Sequence, residues 1–160
     1  MDAKDLEILL KLQENARVAN AEIARQIGLA PSAVLERIRR LERDGVVLEY
    51  TARLDPPSVG CGTLAFVFVQ TNEQPFDRSA AEQLASIPEV LEVHKVAGED
   101  CLLVKLRCAS NEDLGRLLQN RIGSIPTVHR TRTTIALATF KESATLPLAR
   151  PRDRALETMA

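Results

Sequence analysis

Within the first 50 residues the apolar positions recur every three or four: Ile8, Leu9, Leu12 and Ala16, then Ile23, Ala24 and Ile27, then Val34, Ile38 and Leu41. Each set lines one face of a short helix, and three such faces close one small core. Asn20 is placed to cap a second helix at 21–27, Gly28 to end it in the left-handed conformation, and Pro31 to occupy the first turn of a third helix at 31–43. Only Gly28-Leu29-Ala30 separates these two helices. So short a glycine-bearing turn makes them cross steeply, as in a helix-turn-helix. Asp44-Gly45 stops the third helix.

From Val46 to Leu54 strand formers predominate without clean alternation, so residues 1–54 are expected to form a helix-turn-helix domain of winged-helix-like kind. Asp55-Pro56-Pro57, Gly60 and Gly62 mark a stiff linker at 55–62. Beyond it the pattern predicts a strand at 64–69, a helix at 80–87, strands at 90–96 and 102–106, a helix at 114–122 and a long strand at 128–140. That order, βαββαβ, is a ferredoxin-like unit over 63–142, and the fold class is α+β. Ser86-Ile87-Pro88-Glu89-Val90 and Ser124-Ile125-Pro126-Thr127-Val128 echo one another at equivalent points of its two halves. Residues 143–160 lack a period and read as a C-terminal tail.

A net charge of -1 excludes a polycationic coating protein, so a nucleic-acid surface has to be a local patch. No run reaches the roughly 20 apolar residues of a membrane span, and MDAKDLEILLKLQE carries acids where a signal peptide carries a basic segment. A cytoplasmic protein with no membrane partner is expected. Cys61, Cys101 and Cys108 are odd in number and lack metal-ligand spacing, which suits reduced core thiols. His94 and His129 are the only histidines, on predicted strands and without a ligand-spaced partner. No P-loop, GxSxG, HExxH or dinucleotide fingerprint occurs, so neither enzyme activity, a metal nor a cofactor is expected.

With Val34, Ile38 and Leu41 inward, the third helix turns Ser32, Ala33, Glu36, Arg37, Arg40 and Arg43 outward, with Arg39 at the margin. Guanidinium forks bond phosphates and read guanine edges, and small residues at the helix start allow close approach to the major groove of double-stranded DNA. The competing reading is a solvated charged face laced by pairs such as Glu36 with Arg40. The preceding helix and tight turn favour DNA.

Asp5, Ile8-Leu9, Leu12, Arg17, the run NAEIARQIGLAPSAVLERIRRLERDGVV, VHKVAGEDCLLVKL and VHRTRTTIAL together resemble the leucine-responsive and asparagine regulators, Lrp/AsnC, over about 5–142. The resemblance implies a transcriptional regulator whose C-terminal domain is of the RAM or ACT-like type. It also implies a homodimer through the C-terminal sheets, often an octamer, with an amino acid or related metabolite bound between subunits. The effector loop of the family corresponds to Val96-Ala97-Gly98-Glu99-Asp100-Cys101, where Gly98 permits a tight turn and Glu99 or Asp100 can take an amino group. By the same resemblance Thr131, Thr133 and Thr134 supply hydroxyls. Cys101, Leu102 and Ala30 depart from residues common in the family, and a plain polar hairpin is the alternative for the loop.

Two other functions remain open at this point. Sirohaem decarboxylases share the two-part fold, and there His94, Arg130 and Arg132 would carry the chemistry. A helix-turn-helix that binds an acidic protein is the other.

Overall fold

The computed structural model describes residues 1–73, 77–98 and 102–148. They fall into two compact units, one comprising residues 1–52 with the segment that begins at Glu142, the other Arg53–Lys141. The chain therefore passes from unit to unit twice.

In the first unit, α1 (Ala3–Glu14), α2 (Asn20–Ile27) and α3 (Pro31–Arg43) pack the predicted apolar faces together. Ile8, Ile23 and Val34 are fully buried at the centre. Asp2 and Asp5 make a capping box at the start of α1, each backbone N–H donating to the other's carboxylate at 2.7 and 2.9 Å. Gly28 closes α2 with φ +70°. Asn20, expected as the cap of α2, is instead its first helical residue. Ala19 takes the cap position in extended backbone, its carbonyl accepting the Glu22 and Ile23 amides without side-chain help. At the end of α3 the Val46 N–H donates to Leu41 O (2.8 Å) and the Gly45 N–H to Glu42 O (3.0 Å), the paired bonds that a left-handed glycine allows.

No strand occurs among the described residues between α3 and the sheet, so the wing-like part of the expectation has no counterpart in a single chain. Residues 46–54 include strand formers but take no strand conformation. At the other end of the chain, residues 142–148 are held rather than free. The Gln13 side chain donates to Leu146 O (3.2 Å) and accepts from the Leu146 N–H (2.7 Å), while Leu148 packs against the helical core.

The second unit is the expected βαββαβ: β1 (Thr63–Thr71), α4 (Ser79–Ala85), β2 (Val90–Lys95), β3 (Leu102–Cys108), α5 (Asn111–Leu117) and β4 (Val128–Ile135). The four strands are antiparallel in the order β2-β3-β1-β4. Ala65, Val67 and Val69 of β1 and Val104 and Leu106 of β3 face Leu84 and Leu114 of the two helices, forming the core. The echoed segments adopt the same turn: Ile87 and Ile125 are buried, and each accepts a bond from the valine that opens the next strand (3.0 Å). A wider π turn, Leu118–Ile122, completes α5. β4 ends at Ile135, not at 140. Its partner β1 begins at Thr63, so once the Ala136 N–H has bonded Leu64 O, nothing in the chain remains to pair. Leu137 and Phe140 beyond it are 99% and 100% exposed.

Candidate nucleic-acid and effector surfaces

Opposite the buried Val34, Ile38 and Leu41, the exposed side of α3 carries Ser32, Glu36, Arg39 and Arg43. Ala33 is half-buried beside them. Arg39 has no ion pair among the described residues, and Arg43 meets only Asp44, at 3.9 Å. The pattern placed Arg37 on the outer face and Arg39 at its margin. The structure reverses the two, because Arg37 lies over α1.

Arg37 donates to Asp2 Oδ2 (2.6 Å) and Asp5 Oδ1 (2.8 Å), and Arg40 donates to both oxygens of Asp5 (2.7 and 2.8 Å). Arg40 thus pairs with Asp5, not with Glu36. The Asp5 side chain is 1% exposed. Burial pushes its carboxyl up, but the Asp2 N–H and the two guanidinium groups outweigh that and hold it below its ordinary value. Asp2 is lowered to about 2, chiefly by its bond from Arg37. In the same turn Lys4 donates to Ile27 O (2.6 Å) at the carbonyl end of α2. The apolar pattern along the chain gives Asp2 and Lys4 no role, and Asp5 enters only through the family resemblance. The Asp-x-x-Asp spacing of a capping box was the available signal.

In the sheet, Gly98 has φ +132°, a backbone that side-chain-bearing residues rarely adopt. Glu99, Asp100 and Cys101 lie outside the described residues. Thr131 pairs with Val69 and Thr133 with Val67, which puts both on the helix-covered face of the edge strand. Thr134 pairs with Phe66 and belongs to the other face. The three hydroxyls therefore do not converge. The row Leu102, Val69, Thr131 brings Thr131 to the hairpin's end of the sheet, two strand spacings or about 10 Å from Leu102. Lys95 and Leu102, which flank the hairpin, line a cleft of about 750 Å³ with Thr71, Arg78 and Val93.

On the face without helices, His94 and Arg132 stand in one row with Leu103 and Phe68 between them, three spacings or about 14 Å apart. Arg132 sits 4.0 Å from the centre of the Phe68 ring. Glu92 takes a bond from Lys105 (2.8 Å) and shares one with His94 (3.1 Å), and these bonds, that of Lys105 first, hold its carboxyl below the usual range. Of the cysteines, Cys108 is buried, which pushes its thiol up, and Cys61 is partly exposed.

Residues 1–42 match the family model of the AsnC-type helix-turn-helix domain, and residues 64–146 that of the Lrp/AsnC ligand binding domain. The chain belongs to the Lrp/AsnC family. It is a transcriptional regulator of that type, with an amino-terminal helix-turn-helix and a regulatory ferredoxin-like unit. The HTH-type transcriptional regulator FL11 of Pyrococcus horikoshii is 38% identical over 92% of this chain and 97% of its own length. The leucine-responsive regulatory protein of Klebsiella pneumoniae is 34% identical over 89% of this chain and 88% of its own. Among solved structures, a Neisseria meningitidis transcriptional regulator in complex with L-methionine superposes with a TM-score of 0.85 at 30% identity, covering 92% of this chain and 96% of its own. A Mycobacterium tuberculosis feast or famine regulatory protein, also complexed with L-methionine, gives 0.83 at 38%, covering 91% and 97%. This Lrp/AsnC regulator has no helix among its described residues long and apolar enough to cross a membrane.

Proposed function

We propose that this regulator binds double-stranded DNA through the outward side of α3, presented twice by a homodimer or larger homo-oligomer to half-sites about 34 Å apart. The observation that carries the reading is the exposed row Ser32, Glu36, Arg39 and Arg43 on the second helix of a tightly turned pair. Ala33 flanks it and lets the helix start approach the groove, while Arg37 and Arg40 stand at its side. Self-association is supported by the helix-free sheet face with Phe66, Phe68 and Leu103, and by the exposed Leu137 and Phe140. The effector is a small molecule with the amino and carboxylate groups of an amino acid, bound between subunits at the hairpin with Gly98, Glu99, Asp100 and Cys101. Thr131 and Thr133 come from the same face of a sheet, and Thr134 from its other face. Two structural relatives bound to L-methionine support that chemistry. Its binding energy shifts the balance among assemblies by favouring the one it contacts best. The protein works in the cytoplasm as a binding protein, without catalytic chemistry.

The test is retention of random duplexes by the purified protein at fixed salt, followed by sequencing. A pseudo-palindromic motif is expected, with affinity altered by at least one L-amino acid. A retained pool no different from the starting pool, with and without L-methionine or L-leucine, overturns the reading.

A further inference from the structure

Resting on the reading of α3 as the DNA-facing helix, we infer that the first turn of α1 is its positioning element and Asp5 the central residue. Asp5 holds Arg37 and Arg40 against α1, and leaves Ser32, Glu36, Arg39 and Arg43 to meet the duplex.

Both oxygens of the enclosed Asp5 carboxylate are in use. Oδ1 accepts from Arg37 and Arg40, and Oδ2 accepts from Arg40 and the Asp2 N–H. A guanidinium that left for a phosphate would take one of two compensating charges from a buried carboxylate and leave its oxygens short of donors, which is unfavourable. Arg39 and Arg43 are held by no such partner among the described residues, and the Arg43 side chain is 72% exposed. The two clamped arginines are three residues apart and therefore neighbours on one side of α3, so one carboxylate fixes the rotation of the helix about its axis. Lys4 meanwhile binds the carbonyl end of α2, where a cation is also favoured by the helix dipole. Asp2, Lys4 and Asp5 thus tie both helices of the pair to α1 and set which residues of α3 face outward.

The test is the salt dependence of operator affinity in the full-length protein. Arg39→Gln and Arg43→Gln each remove one phosphate contact from each of two half-sites and are each expected to lower the slope of log K against log salt by about 1.8, shrinking the affinity lost between about 50 and about 200 mM salt roughly 12-fold. Arg37→Gln and Arg40→Gln are expected to keep the wild-type slope while speeding amide exchange in α1 and α3. Because Asp5→Asn weakens the fold itself, the arginine variants carry the test, with helix content checked by circular dichroism for each. If Arg37→Gln or Arg40→Gln loses as much slope as Arg39→Gln, those guanidinium groups move onto phosphates and the positioning role falls. A wild-type protein that binds no duplex overturns the DNA reading instead, so the two failures are told apart.

Discussion

Replacing Asp5 by Asn changes no volume and removes one charge, which isolates the electrostatic role of a buried carboxylate. In the native protein this group accepts three contacts from guanidinium nitrogens and one from the Asp2 amide, all between 2.7 and 2.8 Å. Asn keeps one acceptor, but its NH2 then faces donors that had been facing an oxygen. Breaking a fully buried ion pair costs about 3–5 kcal/mol, and an exposed pair contributes about 0–1. Here the carboxylate is enclosed, whereas the Arg37 and Arg40 side chains are 26% and 43% exposed and can rehydrate. The loss should therefore fall at about 2–3 kcal/mol, below the buried limit because the cations find water. For a unit of about 60 residues that lowers Tm by roughly 10–20 °C. The assay is thermal melting followed at 222 nm, with hydrogen exchange locating the loss in α1 and α3. A Tm within about 2 °C of wild type, with unchanged exchange in α3, would refute the argument.

Acid should open the helical unit at a defined place. Asp2 and Asp5 have folded pKa values below their unfolded ones, so their stabilisation is present above about pH 4 and is lost as pH falls through the folded values, that of Asp2 being about 2; retained helix signal and slow exchange in α1 at pH 2 would contradict this. Gln13→Ala removes both reciprocal bonds to Leu146 and should cost about 1 kcal/mol, because each such surface bond contributes toward the low end of its usual range. Faster exchange at Leu146 is the readout, and an unchanged rate there would mean the segment is held by Leu148 alone. Cys108, buried and with its thiol raised, should be alkylated by iodoacetamide far more slowly than Cys61 at neutral pH, and equal rates by mass spectrometry would show the core to be open.

The order of elements was legible because each is specified by neighbours in the chain. Helical spacing of Ile8, Ile23 and Val34, a left-handed glycine at position 28 and a proline at position 31 are local signals, and the helix pair follows from them. The paired Ser-Ile-Pro turns likewise announced the pseudo-symmetry of the sheet unit. Even the separation of Thr134 from Thr131 and Thr133 was implicit in the strand period of two.

What the chain order alone determined is thus the set of helices and strands and their sequence, since periodicity and turn chemistry act over a few residues. Only the tertiary structure decided the rest. β4 stops at Ile135 because β1, far away in sequence, supplies no further partner. Residues 142–148 are held because Gln13 and the helical core meet them across more than a hundred residues. Arg37 turns from the exposed side of α3 to α1 because a buried carboxylate there outbids water for its guanidinium. That contest depends on burial, and burial exists only once the three helices have packed.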